Sequence, residues 1–378
     1  MSSSAKLVLA DGTIYAGTSY AATGTVFGHI VFDTTMTGYQ HSLTNPSNTE
    51  TIMVFTFPHV GNVGVNDADA ESNHYWPSGV VVRDPARKYS NWQAERSLQD
   101  DLTQDSVVGI AGLDTRALTR HMRQLGPVAA GIFSGSSADD TDAELVDRVR
   151  QWQPSTTPQL LSEVTADRAY EVAAEQPRAT VAVVDLGVRR TTITQLVDRG
   201  NAVTVFPATT SAEELTDEAF DGVVFSSGPG NPAEATEQIK LASALLTAGK
   251  PILGIGLGHQ IVAAALGYET RLMAQAQRGP NQPVYDVATG QSLITNQNHQ
   301  YAVEAPLGTH PAPHTHYGDV TVTQYSLNDQ SVEALRAADL PVLTVQYYPE
   351  NTALTADEAH PIFDEFASLM AAGNSDEG

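Results

Sequence analysis

The hydrophobic rhythm of the chain changes near its middle. Between Lys6 and about Gly135, apolar residues fall in short β-like runs broken by turns, at 6–9, 25–32, 51–57 and 79–83. The glycine-flanked stretch 61–64 and Asn66-Asp67-Ala68-Asp69 read as ordered loops. Asp114 stands as the N-cap of a helix on which Arg116, Arg120 and Arg123 recur at helical spacing. From Ala179 the rhythm becomes an alternation. Strands are predicted at 180–186, 202–207, 222–225 and 251–255, with helices at 191–199, 212–220 and 233–246 between them. Such an alternation predicts a doubly wound parallel sheet. After Gly279 the pattern returns to β-like segments, ending at 341–348 and a helix over 361–371. The Pro-rich stretch 153–159 and the break at 175–177 set the division: a β-rich α/β domain over 1–150, a linker over 151–178 and an α/β domain over 179–372.

The chain is organised around its fourth α/β strand. Four mostly apolar residues lead into Gly254-x-Gly256-x-Gly258, and an apolar helical run starts at Gln260. Glycines on both sides of a central residue suit a nucleophile elbow, a strained turn that lifts one side chain above the carboxyl end of a sheet. Here the central residue is Gly256, which has no side chain. A phosphate-cradling turn at a helix N-terminus is the competing reading. The spacing lacks the Gly-x-Gly-x-x-Gly of a dinucleotide loop. From the triplet alone both readings stand. A second loop, Ser226-Ser227-Gly228-Pro229-Gly230-Asn231-Pro232, follows another strand and can turn backbone N–H groups inward as an anion or oxyanion cradle.

Composition narrows the classes. The chain has 378 residues, with 44 acidic and 20 basic side chains and a formal charge of −24. That charge argues against nucleic acid and anionic membranes as partners. The absence of cysteine excludes disulfides, thiolate metal sites and a cysteine nucleophile. No apolar run approaches the ~18 residues of a membrane span, and residues 1–10 are too short for a signal peptide. A soluble, cytoplasmic protein is expected.

Several stretches, in this order, resemble one family over nearly the full length: Met36-Thr-Gly-Tyr-Gln40, Leu43-Thr-Asn-Pro-Ser47, 58–69, Asp114-Thr-Arg116, 227–232, 254–260, Gln297-Asn-His299 and 345–350. The chain resembles the small, glutamine-amidotransferase subunit of carbamoyl-phosphate synthase. Its C-terminal half resembles class I glutamine amidotransferases. The resemblance implies an N-terminal domain that docks on a large synthetase subunit. It also implies a C-terminal domain that hydrolyses glutamine, the ammonia being converted with bicarbonate and ATP into carbamoyl phosphate. ATP and magnesium would bind the large subunit, leaving no cofactor and no metal in this chain. Whether the product serves pyrimidine synthesis, arginine synthesis or a specialised route stays open.

Carried over residue by residue, the resemblance places the family's nucleophilic cysteine at Gly256 and its histidine at Tyr348, while the orienting glutamate is kept as Glu350. That chemistry needs a thiolate, an imidazole to move the proton and backbone donors for the oxyanion. A phenol, with a reference pKa of about 10, is a poor general base near neutrality. The oxyanion donors, near Gly230 and the Leu257 amide, are in place. Among implied substrate contacts, Ser47, Gly228, Leu257, Gln260 and Asn298 match, with Tyr301 as the aromatic. Gln300 replaces a glycine and would fill space used by the substrate's own backbone, so glutamine binding is in doubt. Gln277 and Gln282 stand where relatives often have histidine. Tyr348, Gln300 and the lack of any cysteine argue against a single engineered change.

Ser226 and Ser227 are conceivable substitute nucleophiles, but no base accompanies them and loop hydrogen bonding accounts for them better. His259 is expected to pack. His310, His314 and His316 suit a surface loop better than a metal site. The arginines after Asp114 suit a docking face. Three readings follow: a pseudo-glutaminase subunit that leaves its synthetase to use free ammonia, an active subunit with an unrecognised nucleophile, and a stand-alone binding protein that reuses the fold.

Overall fold

The computed structural model describes residues 3–216, 220–350 and 361–373. The chain divides into two compact units, 1–155 and 156–378.

The first unit carries β1 (Ser4–Leu9), β2 (Ile14–Ala21), β3 (Thr25–Asp33), β4 (Thr51–Phe55), β5 (His59–Val60), β6 (Gly79–Val82), β7 (Asp84–Pro85), β8 (Val108–Ala111) and β9 (Ala129–Ser134). Seven of these close a barrel in the order β1-β2-β8-β6-β4-β3-β9, and β5 pairs with β7 alone. Leu7, Ile52, Val54, Val81, Ile110 and Ile132 share one core, while Met53, Phe55, Val80 and Val82 join another with Leu98 and Leu102. Thus β4 and β6 are buried on both faces, which is why they read as continuous apolar runs rather than as alternation. Four helices complete the unit: α1 (Tyr39–Leu43), α2 (Leu98–Gln104), α3 (Thr115–Leu125) and α4 (Asp142–Gln151). The expected cap on α3 is present, the Asp114 carboxylate accepting from the Ala117 amide at 3.0 Å.

The second unit opens with α5 (Thr157–Val164) and β10 (Tyr170–Val172). Both lie inside the stretch 151–178 expected to be a linker. The Pro158 that suggested a break sits instead in the first turn of α5, where a missing N–H costs nothing. β10 pairs antiparallel with β12, so this stretch is part of the sheet.

Next come β11 (Ala179–Asp185), α6 (Arg190–Asp198), β12 (Asn201–Pro207), α7 (Ala212–Thr216), β13 (Gly222–Phe225), α8 (Thr236–Thr247), β14 (Ile252–Ile255) and α9 (Leu257–Ala265). The predicted alternation is met, although part of the expected helix 212–220 lies outside the described residues. β15 (Glu269–Asp286), β16 (Gln291–Glu304), β17 (Gly308–Pro311), β18 (Asp319–Ser326), β19 (Val332–Ala337) and β20 (Val342–Val345) follow, then α10 (Ile362–Gly373).

The strands form one sheet in the order β10-β12-β11-β13-β14-β20-β19-β18-β15-β16, with β17 against β18. β12, β11, β13, β14 and β20 are mutually parallel. Apolar clusters cover both faces of this parallel part: Val184, Phe225, Leu241 and Ile261 on one side, Val183, Val224, Leu253 and Phe366 on the other. Parallel pairing brings the carboxyl ends of β11, β13, β14 and β20 to one end of the sheet, where such folds place their sites.

Candidate active site: an elbow without a nucleophile

β14 ends in the turn that the glycine triplet predicted. Gly256 takes φ 59° and ψ −113°, a conformation that side chains avoid, and α9 begins at the next residue. The flanking glycines have steric causes. A Cβ on Gly258 would lie 2.1 Å from the Phe225 carbonyl oxygen, and one on Gly254 would lie 2.8 Å from the Gly258 carbonyl oxygen. The helix therefore presses on β13 through a position that only hydrogen can occupy. A Cβ on Gly256 itself would meet Ser227 Cβ at 3.1 Å.

The loop after β13 is also fixed by close packing. A Cβ on Gly228 would come within 2.0 Å of the Leu186 carbonyl oxygen. Gly230, at φ 110°, approaches the Thr157 side chain, whose hydroxyl receives the Asn231 amide at 2.8 Å. Close packing explains both glycines without any ligand: backbone crowds Gly228, and a side chain and a positive φ constrain Gly230. The Ser226 hydroxyl donates to the Ser227 carbonyl at 3.0 Å and accepts from the Leu186 amide at 2.9 Å, as a loop residue would. The Ser227 hydroxyl is buried and has no hydrogen-bond partner among the described residues.

The segment after β20 carries the other two positions of interest. Tyr348 is buried, and its phenolic oxygen accepts from Asn298 Nδ2 at 3.1 Å. Asn298 Oδ1 in turn accepts from Arg278. Glu350 is buried and accepts from Arg189 at 3.1 Å and from the Thr192 hydroxyl. The Arg189 guanidinium also stacks over the Tyr348 ring, 4.4 Å from its centroid. Both members of the Arg189–Glu350 pair are shut from solvent, with side chains 2% and 0% exposed. Glu350, the position expected to orient a catalytic base, is thus occupied by an ion pair and a hydroxyl.

Arg189 was not singled out from the sequence. Its signal was weak but real: a pair of arginines, Arg189 and Arg190, directly after a strand that ends at the ligand-binding edge.

The remaining expected contacts are distributed as follows. Leu257 is buried at the start of α9. Gln260 donates through Nε2 to the Tyr301 carbonyl at 2.8 Å and to Gln346 Oε1 at 2.9 Å, so its amide is used inside the protein. Gln300 and Tyr301 are half-buried on β16. Burial raises the Tyr301 phenol above its ordinary value, with a smaller contribution from Glu234. Ser47 belongs to the first unit, in a single turn at Pro46–Asn48 capped by Asn45. Gln277 donates to Ser326, Asp329 and Ser331, and Gln282 to the Arg278 carbonyl.

His259 is fully buried against Thr344, Nδ1 to Oγ1 2.7 Å, and burial pushes its imidazole down to about 3. His310 meets the Tyr268 hydroxyl at 3.0 Å, and His314 and His316 stack with centroids 6.1 Å apart. Among the described residues, no group of three or more histidines and carboxylates could hold a metal ion. No described helix is long and apolar enough to cross a membrane.

A parallel, doubly wound sheet with a glycine elbow at a central strand is the architecture of a class I glutamine amidotransferase domain. The family described as "Glutamine amidotransferase class-I" matches residues 182–369, and "Carbamoyl-phosphate synthase small chain, CPSase domain" matches residues 7–132. The chain is 46% identical over 367 residues to the carbamoyl phosphate synthase small chain of Streptomyces coelicolor, covering 97% of this chain and 96% of that one. It is 43% identical over 390 residues to the small chain of Bifidobacterium longum, covering 99% and 95%. It is 41% identical over 375 residues to that of Mycobacterium tuberculosis, covering 98% and 99%. The chain belongs to the carbamoyl phosphate synthase small chain family.

Proposed function

We propose that this chain is a small subunit that has lost glutaminase chemistry. It docks, in the cytoplasm, on a carbamoyl-phosphate synthase large subunit and leaves that partner to draw on free ammonia. One observation carries the reading: the carboxylate of Glu350 is engaged by Arg189 and Thr192, and Arg189 lies over the ring of Tyr348. Amide hydrolysis by this route requires an attacking atom and a base held by that carboxylate. Gly256 supplies no attacking atom, and the place of the base is a phenol stacked on a cation. Loss of nucleophile and base together costs about a million-fold in rate in a serine hydrolase, which sets the scale.

A serine substitute is disfavoured by the same geometry. A hydroxyl nucleophile needs a base within hydrogen-bond reach. The Ser226 proton is given to a backbone carbonyl, and Ser227 has no partner among the described residues to take its own.

The test is reconstitution with a large subunit. The expected result is co-purification, carbamoyl phosphate from ammonium, and no glutamate released from glutamine above the level of a Ser227→Ala variant. Efficient synthesis from glutamine would sink the reading, and failure to co-purify would favour a stand-alone role.

A further inference from the structure

Behind the elbow lies a second polar group that no step above uses. Glu333 on β19, Gln297 and His299 on β16 are 0%, 1% and 6% exposed. The hydrogens can be assigned from the partners. His299 Nδ1 is 2.8 Å from the Tyr301 carbonyl oxygen, which can only accept. Nδ1 therefore carries the proton, and in the neutral ring Nε2 is a lone pair with no hydrogen-bond partner among the described residues. Gln297 donates through Nε2 to Glu333 Oε2 at 2.6 Å and to Thr295 at 3.1 Å, which leaves its Oε1 without a partner among those residues. Glu333 Oε1 has a long contact with the Ser331 hydroxyl at 3.3 Å. His299 Nε2 and Glu333 Oε1 are 3.9 Å apart, too far for a direct bond. One donor atom about 2.9 Å from each would bridge them.

With Glu333 ionised, this group is short of donors: among the described residues the imidazole nitrogen and the amide oxygen have none, and the carboxylate oxygen has only the Ser331 hydroxyl at 3.3 Å. Buried acceptors left in this state are costly, and a guest normally satisfies them. The acceptor chemistry selects the guest. Burial lifts the Glu333 carboxyl to about 8, and once ionised, as at the pH of the test below, it calls for a cation. An imidazole lone pair is a poor ligand for sodium or potassium, which favour oxygen, but a good acceptor from N–H. A transition metal would need a larger set of ligands than the described residues bring together.

We propose that Glu333, His299 and Gln297 line an internal site for a small cationic N–H donor of the size of ammonium. His259, another buried imidazole whose Nε2 has no hydrogen-bond partner among the described residues, lies close enough to interact electrostatically with His299. The site is a property of this chain and stands whether or not glutamine hydrolysis is lost.

The full chain is tested alone, by thermal denaturation at pH 8 in ammonium, potassium, sodium and methylammonium chloride at matched ionic strength. Ammonium is expected to raise the melting temperature saturably, by about 3 °C at tenfold over its dissociation constant. The other three salts are expected to give no saturable rise, and Glu333→Gln is expected to abolish the response. Should that variant fail to fold, ¹⁵N-ammonium added to the native chain provides the second measurement. A slowly exchanging ammonium resonance with a cross-peak to the His299 ring supports the site. Identical curves in ammonium and potassium, an undiminished response in Glu333→Gln, or the absence of a protected ammonium signal overturns it.

Discussion

The turn around Gly256 and the segment from Gln346 to Glu350 follow neighbouring parallel strands at the same end of one sheet, yet they are held in different ways. The turn keeps the backbone of a catalytic elbow in detail, down to φ 59° at a residue with nothing to present. The segment after β20 is held by polar and ring contacts: Arg189 pairs with Glu350 and lies on Tyr348, and Asn298 donates to the phenol. The difference teaches that the elbow is maintained by packing. Gly258 is demanded by the Phe225 carbonyl and Gly254 by the helix that follows, so packing alone fixes the shape of the turn. The side chains after β20 are held instead by polar contacts and a ring, which set no comparable steric limit.

The largest expected effect tests the packing half of this comparison. Gly258→Ala places a methyl 2.1 Å from a backbone oxygen, and destabilisation of about 4 kcal/mol or more is expected in chemical denaturation. A variant that unfolds like the parent would show that the elbow is not held by this contact.

Next in size is Arg189→Met, which strands the Glu350 carboxylate in the interior. A loss of about 3–5 kcal/mol is expected, with part of it recovered in the double variant Arg189→Met, Glu350→Gln. A loss below about 1 kcal/mol would mean that the pair contributes nothing to holding the segment after β20.

The third prediction concerns pH. Burial pushes His259 down to about 3 and His299 to about 4, while the unfolded chain protonates both near 6.5. Between those values the unfolded chain binds more protons, so stability falls as pH drops below about 6.5. Glu333 acts in the opposite sense. Burial lifts its carboxyl to about 8, so its contribution is full below about 4.5 and is lost as pH rises through about 8. Two histidines outweigh one carboxyl on the acid side, and the carboxyl acts alone above. Melting temperatures measured from pH 5 to 8.5 should peak near 6.5, and Glu333→Gln should flatten the alkaline limb. A monotonic rise across the range contradicts the assignment.

The smallest expected effect is that of Tyr348→Phe. It removes the bond from Asn298 but keeps the ring under Arg189, for a loss of about 1 kcal/mol in thermal denaturation. A loss matching that of Arg189→Met would place the stabilisation in the hydroxyl rather than in the cation and ring.

Much of this was legible in the chain itself. The alternation after Ala179 determined the strands β11 to β14 and the helices between them, because a two-faced parallel sheet requires continuous apolar runs at that spacing. The triplet Gly254, Gly256 and Gly258 marked the tight strand-to-helix turn, because a Cβ at Gly254 or Gly258 would meet backbone, and Asp114 marked the start of α3. The identities of Gly256 and Tyr348 were legible as departures from the family's pattern. Only the tertiary structure decided what surrounds them. Arg189, Asn298, Tyr348 and Glu350 are brought together from three separate stretches of sequence, and local pattern carries no record of such a meeting. The same holds for 151–178, where local turn chemistry suggested a linker but pairing with β12 made a strand. Periodicity is a property of neighbours along the chain, whereas an ion pair or a sheet edge is a property of neighbours in space, and burial alone decides which of those are joined.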